Sequence, residues 1–94
     1  MKKRTSGEYR KLERIVKGFA NHRRLEIIDL LKQKPELSVA DIAEELHIDF
    51  KNASAHIGKL AIAGLIMKRY EGTTVRHKLT KRGESILIFY RILE

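Results

Sequence analysis

The chain has 94 residues, no cysteine, and 20 Lys and Arg against 12 Asp and Glu, which gives a formal net charge of +8. This length predicts one domain with a modest core, so self-association is an expected source of further stability. The lack of cysteine excludes a disulfide scaffold and a thiolate metal site, and it suits a reducing cytoplasm. No apolar run approaches the roughly 20 residues that cross a bilayer, so we expect a cytoplasmic protein without membrane contact.

The positive charge is concentrated towards the two ends of the sequence. Residues 1–24 carry nine Lys and Arg against two acids, residues 25–50 carry two against seven, and residues 51–94 carry nine against three. This separation of basic from acidic segments is typical of a small domain that binds nucleic acid. A generic solvated charged face is the alternative interpretation, and the charge alone does not decide between the two.

Two helices are predicted before the middle of the chain. Residues 1–8 are charged and lack apolar periodicity, so we predict a flexible basic arm there and a folded domain over residues 9–94. The first helix is predicted by apolar residues at helical spacing, which are Tyr9, Leu12, Ile15, Val16 and Phe19. Asn21 is a candidate N-cap for the second helix, which Pro35 ends.

Residues 38–65 predict two short helices joined by a tight turn. Ser38 is a candidate N-cap of the first, with an acid three residues later, and Asp49 can cap the second helix, residues 50–63. Gly64 suits the left-handed conformation that ends such a helix. The polar face of the second helix carries Lys51, Asn52, Ser54, Ala55, His56 and Lys59. This is the pattern of a helix-turn-helix whose second helix enters the DNA major groove.

A basic hairpin is predicted directly after this motif. Residues 66–70 and 75–79 have the composition of strands, and the glycine between them favours a turn. A basic hairpin behind a recognition helix is a wing, here residues 66–79, which contacts phosphates or the minor groove. Its candidate DNA contacts are Arg69, Thr73, Thr74, Arg76 and Lys78.

The last helix is predicted over residues 81–93, with Thr80 as its N-cap. Residues 85–93 are apolar almost all round, and a terminal helix of this kind needs a cover. A second copy of the chain is the simplest cover, through a two-fold interface, and packing inside the monomer is the alternative. The candidate interface residues are Tyr9, Leu12, Ile15, Val16, Phe19, Ile86, Phe89, Tyr90 and Leu93. The elements together predict a mainly α fold with a small β-hairpin, in the winged helix-turn-helix order α-α-α-α-β-β-α.

Three segments resemble the ArsR-type winged-helix repressors of bacteria and archaea. Residues 21–31 (NHRRLEIIDLL) are similar to the family's x-x-x-R-L-x-I-L-x-x-L segment, and residues 38–43 (SVADIA) to its s-v-x-e-L-A helix. Residues 54–66 (SAHIGKLAIAGLI) resemble S-x-H-L-x-x-L-x-x-A-G-L-V. MarR-like and PadR-like families share the A-G-L-I turn, so the order of the motifs carries the resemblance, which covers roughly residues 9–93.

The resemblance implies a homodimeric transcriptional regulator that represses by occupying a palindromic operator in double-stranded DNA. It places the base readers at Lys51, Asn52, Ser54 and Ala55, with His56 beside them. Ala55 stands where many relatives have a hydrogen-bonding residue, although it could still meet a thymine methyl. From their charge and position, we expect Lys59 and the wing cations to contact phosphates.

Metal sensing, which is common in that family, is not expected here. The chain has no cysteine, and its four histidines lie in different predicted elements, whereas zinc needs several nitrogen or sulfur ligands at close range. We therefore predict no metal site and no cofactor. The sequence shows neither a nucleophile paired with a base nor a glycine-rich loop before a helix, so we do not expect an enzyme. The remaining alternatives are a non-specific DNA or chromatin-type winged-helix protein and a protein-interaction module, because fold alone does not fix function.

Overall fold

The computed structural model describes residues 3–94, which form five helices and one two-stranded antiparallel hairpin. In chain order the elements are α1 (Ser6–Phe19), α2 (His22–Gln33), α3 (Val39–Leu46), α4 (Phe50–Ile62), β1 (Ile66–Glu71), β2 (Thr74–Leu79) and α5 (Lys81–Ile92). The predicted winged helix-turn-helix order is therefore confirmed. Within the part of the chain described, no helix is long and apolar enough to cross a membrane.

The first helix begins three residues earlier than predicted, at Ser6. Thr5 is its N-cap: the Thr5 hydroxyl accepts a hydrogen bond from the Glu8 backbone N–H at 3.2 Å, and the Glu8 carboxylate accepts one from the Thr5 N–H at 3.5 Å. This reciprocal capping box supplies partners for two backbone donors at the helix start. Residues 6–8 are thus helical and do not belong to the predicted flexible arm. Met1 and Lys2, also assigned to that arm, lie outside the described residues.

The other helix starts follow the local signals in the sequence. The four predicted N-caps are confirmed, because each side chain accepts a backbone N–H from the first turn of its helix: Asn21, Ser38, Asp49 and Thr80. Ser38 forms a complete capping box with Asp41, and the hydrogen bonds from Ser38 lower the pKa of the Asp41 carboxyl. These caps set the directions in which α2, α3, α4 and α5 leave their loops.

The core lies between the inner faces of α2, α3, α4 and α5. The largest fully buried apolar side chains are Ile27, Ile28, Leu31, Ile42, Ile57, Leu60, Leu65 and Leu87. On α1, Phe19 is the buried residue, and Gly18 lets the helix approach α4 so closely that an added Cβ would lie 2.5 Å from the Cβ of Ala63. The helix-turn-helix is therefore held from behind by both α1 and α2.

The hairpin is joined edge to edge with the loop between α2 and α3. In β1 and β2, Ile66 pairs with Leu79 and Glu71 with Thr74, which leaves a two-residue turn with Gly72 at φ +60°. Leu37 forms an isolated antiparallel bridge with His77 on the free edge of β2. Strand β2 is thus the middle member of a three-stranded arrangement, with β1 on one side and the single bridge residue Leu37 on the other.

Two apolar faces of the described chain remain uncovered. On α1, Tyr9, Leu12 and Val16 are exposed, and on α5 the exposed residues are Ile88, Phe89, Ile92 and Leu93. By contrast, Leu87 on the inner side of α5 is buried against the core. The prediction that α5 has more apolar surface than its own core can cover agrees with this exposure.

Candidate nucleic-acid interface

Helix α4 presents one buried and one exposed face. Ala53, Ile57 and Leu60 are buried at helical spacing. The exposed side holds Lys51, Asn52, Ser54, Ala55 and Lys59, which were the predicted contact residues, while His56 is partly buried at the border. The observed helix ends at Ile62, one residue before the predicted end, and Gly64 then adopts φ +77° as predicted. A polar face of this kind, on the second helix of the motif, is the surface that a major groove accepts.

Asn52 is held by the cap of its own helix. Its backbone N–H donates to Asp49 Oδ1 at 2.7 Å, and its side-chain Nδ2 donates to Asp49 Oδ2 at 2.9 Å. An amide nitrogen has two donor hydrogens, and the Asn52 Oδ1 acceptor is not used in this pair. The side chain is therefore oriented in advance and still has one donor and one acceptor available.

His56 is tied to α2 by a contact that the sequence did not indicate. Arg24 Nε donates to His56 Nδ1 at 3.2 Å, across 32 residues of chain. Burial lowers the pKa of the His56 imidazole below its ordinary value, and the positive charge of Arg24 lowers it further. A neutral His56 is the consequence at neutral pH.

The two wing arginines are engaged by acids. Arg69 contacts Glu36 (Nε to Oε2) and Glu71 (Nη1 to Oε2), both at 3.0 Å. Arg76 lies 3.6 Å from Glu71 Oε1 and donates through Nη1 to the Glu36 backbone carbonyl at 3.1 Å. These four residues, called here the wing charge cluster, contain two positive and two negative groups. The pairing with Arg69 and the charge of Arg76 lower the pKa of Glu71.

The other predicted wing residues lie at the tip of the hairpin and along β2. Thr73 is exposed in the turn, Thr74 opens β2 opposite Glu71, and Lys78 is exposed opposite Met67. Among residues 3–94, neither Lys68 nor Lys78 forms an ion pair, so these lysines are the unpaired cations of the hairpin.

His77 has a structural role that the sequence analysis missed. The side chain is only 1% exposed, and its Nδ1 lies 2.8 Å from the Leu37 carbonyl oxygen. Because a carbonyl only accepts, the proton of the ring lies on Nδ1. The signal available in sequence was the alternation of β2, since His77 falls on the same side as Val75 and Leu79.

Of the described residues, no three or more His, Asp or Glu side chains come together as a group that could hold a metal ion. His22, His47, His56 and His77 lie at the start of α2, after α3, within α4 and within β2, respectively.

The predicted dimer residues divide into exposed and internal ones. Tyr9, Leu12, Val16, Phe89 and Leu93 are exposed and Ile15 is half-buried, whereas Phe19 belongs to the core of the chain. Ile86 and Tyr90 are partly buried against that core, and the Tyr90 hydroxyl donates to the Leu25 carbonyl at 3.2 Å. Burial raises the pKa of Tyr90 above its ordinary value, and the negative charge of Asp29 adds to this effect. Ile88 and Ile92, which the sequence analysis did not select, are exposed beside Phe89 and Leu93.

The fold agrees with a comparison to known families. The model of a family described as "Bacterial regulatory protein, arsR family" matches residues 21–68, which run from the N-cap of α2 into β1 and make up just over half of the chain. The chain belongs to the ArsR family. The matched region contains the three segments on which the resemblance was based, so that resemblance is confirmed. Both the family and the fold are those of transcriptional regulators, which are not enzymes.

Individual relatives support the assignment to the ArsR family. The chain is 35% identical over 81 residues to the HTH-type transcriptional regulator Rv0324 of Mycobacterium tuberculosis, a match that covers 86% of this chain and 34% of that protein. The chain therefore spans about a third of the length of this curated relative.

Two solved structures of similar sequence share the whole fold. One is the homodimeric winged helix-turn-helix DNA-binding domain of Mb0332 from Mycobacterium bovis, at 28% identity and TM-score 0.84, covering 99% of this chain and 89% of that one. The other is HlyU from Vibrio cholerae, at 28% identity and TM-score 0.78, covering 95% and 97%.

Proposed function

We propose that this ArsR-family protein binds double-stranded DNA sequence-specifically as a homodimer and represses transcription from a palindromic operator. The observation that carries the proposal is α4, which exposes Lys51, Asn52, Ser54 and Ala55 on one side while its other side is packed in the core. A helix that is packed on one side and exposes a mainly polar face on the other fits a major groove, about 12 Å wide.

Side chains in the first half of α4 contact the bases. Asn52 keeps one donor and one acceptor, which is what a bidentate contact with adenine requires, and Lys51 can donate to guanine. Ser54 can donate or accept, and the Ala55 methyl suits the methyl group of thymine. The Asp49 cap orients Asn52 before DNA arrives, so less side-chain entropy is lost on binding.

Phosphates are contacted by cations that have no acidic partner among residues 3–94. Lys59 on α4 and Lys78 on β2 are exposed and form no ion pair within that range. Thr73 and Thr74 can donate hydroxyls to phosphate from the tip of the wing. Arg69 and Arg76 also lie on the wing, but their charge is offset within the wing charge cluster.

Dimerisation follows from the uncovered apolar faces of α1 and α5. Ile92 is 75% exposed and Leu93 69% exposed at the end of α5, and Tyr9 is 58% exposed on α1. A two-fold interface between copies would remove this surface from water. The Mb0332 domain, which has the same fold, is homodimeric. In such a dimer the two α4 helices would contact half-sites about one helical turn apart, which makes the operator palindromic.

The test is a titration of the protein against duplex from its own upstream region and against a scrambled duplex, at two salt concentrations. Specific binding predicts a preference of about 10³-fold or more for the first duplex, or for one selected from random sequence. Equal and salt-sensitive binding to all duplexes would indicate a non-specific DNA protein, and no binding would indicate an interaction module. A promoter–reporter fusion that becomes more active without the protein would support repression.

Variants separate the two kinds of contact. Lys51→Ala or Ser54→Ala should relax sequence preference, whereas Lys78→Ala should weaken all duplexes alike and reduce the salt slope by about 1. Lys32→Ala is the matched control. Lys32 carries the same charge as Lys78, but it lies on α2 and forms an ion pair with Glu84, with Nζ 3.0 Å from Oε2. Equal effects from all four variants would contradict these roles.

A further inference from the structure

The guanidinium of Arg24 joins three helices at the border of the α4 polar face. Its Nη1 donates to the backbone carbonyls of Lys17 at 3.4 Å and Gly18 at 3.3 Å, in the last turn of α1. Its Nε donates to His56 Nδ1 at 3.2 Å on α4. The side chain therefore reaches from the start of α2 to α1 and to the recognition helix at once.

This contact determines which nitrogen of His56 carries the proton. Arginine has only donors and stays charged in proteins, so His56 Nδ1 must be the acceptor and the ring hydrogen of the neutral form must lie on Nε2. Among residues 3–94, His56 Nε2 has no hydrogen-bond partner, and no buried side-chain nitrogen or oxygen is left without one. The Nε2–H group is therefore open to solvent.

We propose that Arg24 is a positioning residue that holds His56 as an uncharged Nε2–H donor, and that this donor binds a backbone phosphate of duplex DNA. The proposal rests on the proposed DNA-binding function and names a contact within it. It differs from a lysine contact because a neutral donor adds a hydrogen bond without neutralising a phosphate charge. Affinity should then depend on His56 while the salt slope does not, since the slope counts released counterions.

The charges around His56 favour the neutral ring. Arg24, Arg23 and His22 at the start of α2 face it, and Lys59 lies one turn further along α4. Each positive charge disfavours an imidazolium, and partial burial acts in the same direction. The ring can thus keep accepting from Arg24 throughout the neutral pH range.

The first experiment is an NMR measurement of the His56 ring nitrogens in the free protein, which needs no DNA. The Nε2–H tautomer is expected in the wild type, and Arg24→Ala should produce a mixture of both tautomers with a raised His56 pKa. Arg23→Ala is the matched control: it removes an equal charge from the adjacent residue, whose Nη1 pairs with Glu26 at 3.0 Å. That variant should keep the tautomer. An Nδ1–H ring in the wild type would overturn the inference.

The second experiment measures affinity for a random-sequence duplex over a range of salt concentrations. In His56→Gln the side-chain amide can reach the position of Nε2 and keep a donor there, whereas in His56→Asn it can replace only Nδ1. His56→Asn should lose about tenfold in affinity, and His56→Gln much less, with unchanged salt slopes. Lys59→Ala should instead reduce the slope by about 0.9.

The outcomes distinguish this inference from the proposed function. Equal losses in the Asn and Gln variants, or a reduced slope in both, would overturn the Nε2–H contact in a protein that still binds DNA. Failure of the wild type to bind any duplex would overturn the proposed function and the phosphate contact together, while the tautomer measurement would still report on Arg24.

Discussion

Replacing Glu71 with glutamine should tighten the binding of this protein to duplex DNA of any sequence. Glu71 Oε2 accepts a hydrogen bond from Arg69 Nη1 at 3.0 Å, and Glu71 Oε1 lies 3.6 Å from Arg76 Nε. The wing charge cluster is neutral with Glu71 ionised and carries one net positive charge with glutamine. Arg69 still has the Glu36 carboxylate as its partner at 3.0 Å, so Arg76 is the arginine left without a carboxylate partner, while its Nη1 keeps the bond to the Glu36 backbone carbonyl.

The size of the effect follows from counterion release. One additional phosphate contact steepens the slope of log affinity against log salt by about 0.9. A fourfold rise in salt, from about 50 to about 200 mM, then removes about threefold to fourfold more affinity from Glu71→Gln than from the wild type. The advantage of the variant should therefore be largest at low salt and shrink by that factor. Sequence preference should not change, because phosphate contacts carry no base information.

The assay is fluorescence anisotropy with one random-sequence duplex at four salt concentrations. Glu13→Gln is the matched control: it also removes one negative charge and releases a cation, Lys17 at 3.6 Å, but on α1. We expect a wild-type slope from this control. A Glu71→Gln protein that binds no tighter than the wild type at low salt, or that has the wild-type slope, would refute the idea that Glu71 restrains the wing arginines.

Three further predictions concern stability and assembly. Gly83→Ala should lower the free energy of unfolding in urea by about 1–3 kcal/mol, because the added Cβ would meet the backbone carbonyl of Leu65. Gly58→Ala should raise it by about 0.4–1 kcal/mol, because nothing lies within 4 Å of its added Cβ. Equal effects of the two substitutions would count against this packing. Ile92→Glu should yield monomers in sedimentation experiments. Ile62→Glu is the control and should remain dimeric, because Ile62 lies on α4 and is 84% exposed. A dimeric Ile92→Glu protein would place the interface elsewhere. The lowered pKa of His56 means that the unfolded chain binds the proton more readily, so this part of the stability is present above about pH 6.5 and is lost as pH falls through the folded-state pKa. His56→Gln should flatten that portion of the unfolding free energy against pH, and an unchanged profile would argue against it.

The features that the sequence predicted well are those encoded by neighbouring residues. A cap acts on backbone groups two or three positions away, which is why the sequence alone predicts the N-caps Ser38 and Asp49. The start of α1 at Ser6 is equally local, but apolar periodicity does not reveal it, because the signal is the capping box formed by Thr5 and Glu8.

The candidate site was predicted less completely because its chemistry depends on contacts between distant segments. The exposed face of α4 followed from helical periodicity. The engagement of His56 by Arg24 spans 32 residues, and the pairing of Arg69 with Glu36 spans 33. Neither pair has a local pattern, since each depends on how α2 and the following loop pack against the rest of the chain. The sequence therefore predicted which wing residues carry charge, but not that Arg69 and Arg76 have their charge offset.

The position of the wing is fixed by two residues of the loop between α2 and α3. The backbone of His77 bonds in both directions, from Glu36 N to His77 O and from His77 N to Leu37 O, each at 2.9 Å. The Leu37 oxygen also accepts His77 Nδ1–H, and the Glu36 side chain binds Arg69. Glu36 adopts φ +70°, a conformation disfavoured outside glycine, which these contacts offset. Because the same loop leads directly into α3, the wing and the helix-turn-helix are connected through it and should approach DNA as one rigid surface.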